Sequence, residues 1–440
     1  MSEGSSDYEF RSVLLQSERL SSDVELKNMV TDLDIYEHIQ KPYLTAKILL
    51  LDNEDLLDEA DILGGERISI SIISKRDDCI PFTNHFRITN IISTEKVNDN
   101  IQTAAFQLIE EHAYISNLLN INKYYSGNTT SIIKKICENY IDKKLVGDNS
   151  KQNIKAIVPN MSPLTAIEWF SRKSTSTRGY PYYVYSTLTK DSLFMNDLGT
   201  MLSSPVLNDD VPYTNSSMSA QGKNSDVRRR SILQHNFSDN MENLYLKIAQ
   251  GVIGARYEYI DTINDKQKAV NFDIVKDLYK NLIDDGVMQP NQSNYSFSEK
   301  YVHNNKSFNK IQSNTFTFVR GSGAFRETDE DEYSVSYSER KTTAEYKLEV
   351  ISKAFDSMLK KNPMSITVPG VDFIDGDRHS TIGNNIRVQF LVTTPEKDPG
   401  EKVFDAKKSG DYLIFSTRHM FKKETYDIAL TCLKIGNLRR

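Results

Sequence analysis

The chain has 440 residues but only three cysteines, Cys79, Cys137 and Cys432, and a single tryptophan. The cysteines are far apart, odd in number and form no CxxC. That argues against a disulfide framework or a zinc knuckle and leaves the thiols as small core residues of a reduced compartment. No apolar run approaches the roughly 18 residues that a membrane-spanning helix needs, so no stable membrane insertion is expected. Residues 1–7 are polar and acidic, without the basic and apolar stretches of a signal peptide. Charge of one sign is not in large excess. The 54 Lys and Arg against 60 Asp and Glu leave a net −6, which excludes a strongly basic nucleic-acid binder. With 38 % hydrophobic residues the chain is neither collagen-like nor wholly disordered.

The usual catalytic and cofactor signatures are missing too. No two of the seven histidines (His38, His85, His112, His235, His303, His379 and His419) lie four apart, and HExxH is absent. No Walker loop and no GxGxxG occurs, and Gly321-Ser322-Gly323 reads as a flexible turn. Asp372, Asp375, Gly376 and Asp377 lack the alternating oxygens and closing Glu of a calcium loop, so a turn is expected. Asp329-Glu330-Asp331-Glu332 reads as a solvated face, with a charged patch that meets a basic partner or lines a channel as the alternative. Glu110-Glu111-His112 stands at a strand end with no supporting partner and reads as surface. Arg228-Arg229-Arg230-Ser231 reads as an exposed loop, with a neighbouring subunit as its alternative partner. No catalytic, cofactor-binding or metal-ligating residue is assigned, and no enzyme is expected.

What is present is a β pattern. Length alone suggests about three domains at ~150 residues each, and 23 Tyr with 19 Phe suit half-buried sheet surfaces and interfaces. After Gly64-Gly65, Ile68, Ile70 and Ile72 alternate with serines, the period of a strand with one buried face. A loop leads to Phe86, Ile88 and Ile92, and the turn Asn98-Asp99-Asn100 to Ala104, Phe106 and Leu108. These make a three-strand antiparallel block. The last eighty residues repeat the order. Gly383 precedes Ile386, Val388, Phe390 and Val392; a long polar loop follows; Leu413, Phe415 and Thr417 come next; a short turn leads to Tyr426, Ile428, Leu430 and Cys432. The shared order points to two similar antiparallel barrels, although two ordinary meanders would give the same pattern by coincidence.

Helices are expected between the blocks. One carries Ile132, Ile133, Ile136 and Tyr140 behind a Thr129-Thr130-Ser131 cap. Another starts at Ser162-Pro163, with proline at its first position. Further helical spacing runs over 273–285 and from Thr342 to Lys361. Tyr182-Tyr183-Val184-Tyr185 reads as a strand. Residues 202–236 and 289–314 are rich in Ser, Asn and Asp and read as loops.

This order of elements resembles the central-hub proteins of contractile phage tails of the T-even type. The resemblance is carried by the first block (Ile68 to Ile72, Phe86-Arg87-Ile88, Phe106-Gln107-Leu108) and by the helix Ser131 to Tyr140. It continues through Val158 to Phe170, the aromatic strand Tyr182 to Tyr185, and the closing hairpin Ser409 to His419 with Tyr426 to Leu433. It implies an α+β fold with two related antiparallel, tail-tube-like β-barrel domains and helical and loop-rich insertions. The implied division is 1–112 for the first barrel, completed by part of 236–272, and 113–201 for the first part of the second barrel. A loop-rich segment follows at 202–235, an inserted domain with a long helix at 273–361, and the closing strands of the second barrel at 362–440. The resemblance also implies a homotrimer in the virion tail baseplate, assembled in the host cytoplasm. Such a ring joins a trimeric central spike to a hexameric tail tube or its initiator, contacts other baseplate proteins, and passes DNA through its lumen without specific binding. Edge strands such as Ile68 to Ile73 would pair across subunits. A tail-associated cell-wall hydrolase and a cellular β-rich binding module are the rival readings.

Overall fold

The computed structural model describes residues 8–436 except 21, 54–59, 76–78, 99–100, 151–152, 209, 216–228, 238–243, 263–265, 287–301, 321–342, 360–362, 375–380, 394–401, 406–407 and 423–424. The fold is α+β and dominated by one long, mostly antiparallel sheet that runs through two units, each with its own core.

The front unit takes five strands in chain order: Val30–His38, Thr45–Asp52, Arg67–Ser74, Phe82–Asn98 and Ile101–Glu110. In the sheet they lie in the order first, second, fifth, fourth, third, every neighbour antiparallel. The rear unit takes Gln234–Phe237, Pro363–Pro369, Asn385–Gln389, Gly410–Lys422 and Tyr426–Gly436. They follow the same permutation, again all antiparallel. The repeated order read in the sequence is therefore a repeated topology. Period-two burial marks most of these strands. In Thr45–Asp52, for example, Ala46, Ile48 and Leu50 are buried while Lys47 and Leu51 are exposed.

Gly410–Lys422 and Tyr426–Gly436 form a hairpin long enough to serve both units. Its lower half packs on the rear core, and residues 416–422 pair with Val30–His38 of the front unit. Phe421 and Tyr426 accordingly belong to the front core. This placement corrects the expected completion of the first barrel by part of 236–272. Strands Gly254–Asp261 and Lys266–Asp273 pair with each other, and the first runs parallel to Asn314–Arg320. Their apolar face (Ala255, Tyr257, Phe272) is covered in the rear core together with Ile351, Ala354 and Phe355 of the helix Thr343–Leu359. The front position they were expected to fill is already taken by the closing hairpin.

Ile68 to Ile73 is not an edge. Arg67–Ser74 has Tyr8–Gln16 on one side and Phe82–Asn98 on the other.

Residues 113–201 build a small α/β insert around a third core rather than strands of a barrel. Its helices Thr129–Ile136 and Pro163–Lys173 turn Ile132, Ile133, Ile136, Ile167 and Phe170 inward. Asn128, not Thr129-Thr130-Ser131, caps the first, accepting from the Thr130 N–H at 2.9 Å. Pro163 starts the second, as its spacing predicts. The insert ends in the hairpin Tyr182–Thr187 with Lys190–Asp197, whose tip reaches the front unit.

Candidate assembly joint

Seven rungs join the units, from Ser416 opposite His38 to Lys422 opposite Asp32. On the buried parity of these strands sit charged and polar residues. Val30–His38 presents Leu33, Ile35 and Glu37 inward in succession, and Gly410–Lys422 presents Thr417, His419 and Phe421. Glu37 is 1 % exposed and His419 0 %. A buried carboxylate must be satisfied on both oxygens. Oε1 of Glu37 accepts the Leu188 N–H at 2.6 Å, and Oε2 accepts the Thr417 hydroxyl at 3.0 Å. His419 Nε2 lies 3.3 Å from Oε2, while Nδ1 is 2.7 Å from the Tyr426 hydroxyl. The arrangement assigns the ring proton to Nε2, facing the carboxylate, with Nδ1 accepting from Tyr426. Burial pushes the Tyr426 hydroxyl well above its ordinary value. Tyr426 stacks on Phe421 at 4.4 Å, and Tyr8 meets Phe421 edge-on at 5.0 Å and donates to the Lys422 carbonyl at 2.6 Å.

A second buried carboxylate, Glu110, ties the insert to the sheet. Its Oε2 accepts from the Leu44 N–H at 2.8 Å and from Ser186 at 3.0 Å. Its Oε1 meets Lys143 at 3.1 Å and His112 Nδ1 at 3.2 Å. Burial opposes ionisation of Glu110, but the adjacent His112, Lys143 and the Leu44 N–H outweigh it and bring the carboxyl down to about 2. Glu37 and Glu110 thus hold neighbouring parts of one segment, 186–188. Leu188, at its tip, is 1 % exposed and lies in the front core, with its carbonyl accepting from Asn84 at 2.9 Å.

Several sequence expectations change here. Glu110 and His112 are buried, not surface, because the strand end abuts the insert; Glu111 bridges Arg67 at 3.0 Å and Arg87 at 2.6 Å. Arg230 is held within the chain, donating to the Val211 carbonyl at 2.6 Å and lying 3.7 Å from Asp372. Arg228, Asp375 to Asp377, Gly321 to Gly323 and Asp329 to Glu332 lie outside the described residues. Cys137 and Cys432 are buried, and burial pushes the Cys137 thiol up to about 12; Cys79 is partly exposed. The joint residues escaped sequence reading although a signal existed: a charged residue continuing the apolar parity of a strand, as Glu37 continues Leu33 and Ile35 and Glu110 continues Phe106 and Leu108. The polar groups of the joint bond inward to one another and tie the two units and the insert together.

No family model matches the sequence, and no curated protein sequence matches it. Solved structures do match. The 43 kDa tail protein of prophage MuSo2 from Shewanella oneidensis superposes with a TM-score of 0.50 at 10 % identity, over 96 % of this chain and 98 % of that one. The chain has the fold of a phage tail protein. A tail protein from Neisseria meningitidis is also similar, at TM-score 0.47 and 10 % identity over 97 % of this chain and 96 % of its own. So is an E. coli component of the type VI secretion system described as similar to the T4 tail proteins gp27 and gp5. It has TM-score 0.43 and 9 % identity over 97 % of this chain and 79 % of its own.

Proposed function

We propose that this protein is a structural, non-enzymatic hub of a phage tail baseplate. Three copies form a ring that joins a trimeric central spike to the hexameric tail tube and leaves a channel for DNA. The observation that carries this reading is the doubled sheet: two five-strand units of identical permutation in one chain, in a fold otherwise met in a phage tail protein. Two like units per chain let three subunits offer six nearly equivalent positions to a sixfold tube and still offer a threefold face to a spike. A net charge of −6 suits a lumen that must not hold phosphates. The hydrolase reading needs a carboxylate open to substrate. Glu110, the most conspicuous acid of the sequence, instead spends its oxygens on Leu44, Ser186, Lys143 and His112.

Light scattering tests the proposal: about three times 50.3 kDa, alone or with a cognate spike, is expected, together with annular particles in negative stain. A monomer under both conditions overturns it.

A further inference from the structure

The rule that joins the two units within a chain recurs with one half unused. The rear unit's long strand, Gly410–Lys422, changes neighbour at a bulge between Ile414 and Ser416. Residues 410–413 face Asn385–Gln389, and 416–422 face Val30–His38 of the front unit. The front unit's long strand, Phe82–Asn98, is built alike. Residues 82–87 face Arg67–Ser74, and a bulge follows between Ile88 and Asn90, with further ones between Ile91 and Ser93 and between Lys96 and Asn98. From Asn90 to Asn98 the strand then has a ladder partner only on the Ile101–Glu110 side among the described residues. The rear unit's first strand, Gln234–Phe237, occupies the place that Val30–His38 holds in the front unit. Among the described residues it is paired only by Pro363–Pro369. An open edge is a row of backbone donors and acceptors shaped for another strand. Each chain therefore contains one completed joint and, among the described residues, two strands with a ladder partner on one side only.

We infer that Asn90–Asn98 of one copy pairs antiparallel with Gln234–Phe237 of the next, repeating between subunits the joint seen within each. This rests on the ring reading above and names the strands that close it. Such a head-to-tail contact uses two different surfaces and makes a ring where its rotation closes.

The register follows from matching the bulge between Ile88 and Asn90 with that between Ile414 and Ser416, and counting along the partner strands carries it past the second front bulge. The first rung beyond the bulge is Asn90 opposite Gln107 in the front unit and Ser416 opposite Thr431 in the rear. Four residues back along the hairpin partner, Thr103 matches Asp427, so Glu95 matches Met420. On the other side Lys47, opposite Gln107, matches Ser365, opposite Thr431, so Asp34 matches Asn236. The match preserves burial: Phe106 with Leu430 and Ile48 with Ile366 are all inside. Met420 faces Asp34 within the chain. Glu95 of one copy therefore faces Asn236 of its neighbour, flanked by Thr94 with Phe237 and Lys96 with His235. Glu95 and Asn236 are both exposed within a single chain.

The test uses two differently tagged full-length chains, Glu95→Cys and Asn236→Cys, each also carrying Cys79→Ser, co-expressed and mildly oxidised. A second pair, Lys96→Cys with His235→Cys, guards against poor disulfide geometry at one rung. The expected result is a two-chain disulfide species bearing both tags in at least one pair, lost on reduction and absent when either variant is expressed alone. Light scattering on the same samples separates the failures. A multimer in which neither pair cross-links overturns this joint and leaves the ring reading standing. A monomer overturns the ring reading, and the joint with it.

Discussion

The backbone N–H of Leu188 donates to Oε1 of Glu37 at 2.6 Å, across 151 residues of chain. This bond, with the Asn84 bond to the Leu188 carbonyl, pins the tip of the insert inside the front core. Leu188→Ala removes a fully buried side chain and is expected to cost about 2–5 kcal/mol. Glu37→Ala strands the Leu188 donor and removes the partner of Thr417 and His419, at about 3 kcal/mol. Urea unfolding at pH 7 measures both; a loss below about 1 kcal/mol for either would show that the tip does not tie the insert to the front unit.

Glu110 sets a pH dependence. Its folded-state carboxyl is lowered from 4.5 to about 2. Its contribution is therefore complete above the unfolded value and fades as pH falls from about 4.5 towards 2, on the order of 3 kcal/mol in all. Wild type should lose more stability between pH 6 and pH 3 than Glu110→Gln, whose curve should be flatter across that window. Parallel curves would contradict the assignment.

Gly370 tests the aromatic stack. A Cβ at this position would sit 2.3 Å from the Tyr426 ring. Tyr426 cannot retreat, because Phe421 lies stacked against it and His419 holds its hydroxyl. Gly370→Ala should destabilise by about 3 kcal/mol, seen as a fall in the thermal midpoint. An unchanged midpoint would mean that the stack can shift.

The ion pair on the outside of the same joint should matter far less. Arg418 contacts Asp34 at 2.7 Å, but its side chain is 47 % exposed. Arg418→Ala should cost less than about 1 kcal/mol and lose its effect in high salt. A cost as large as that of Glu37→Ala would move the strength of the joint from its interior to its rim.

Much of this architecture is readable from one-dimensional pattern. The strands at 67–74, 101–110, 385–389 and 426–436 announce themselves by period-two burial, and Pro163 marks its helix start. The second half of Phe82–Asn98 does not, because Thr94, Glu95 and Lys96 are exposed and leave no alternation to detect. The insert is hard to read for a different reason: Tyr182 to Tyr185 is buried on both faces, as a barrel strand would be, yet it is sandwiched between the third core and the rear core. The joint residues were hidden because a buried Glu and an exposed Glu are the same letter. Only the parity of Leu33 and Ile35 betrays Glu37.

The shared closing hairpin has a consequence for biosynthesis. Thr417 meets Glu37 across 380 residues, so the front unit, though translated first, stays unfinished until the ribosome has made almost the whole described chain. A nascent or truncated product ending before residue 410 leaves the flank of Val30–His38 bare and sticky. Only a chain read through the hairpin presents a finished first half.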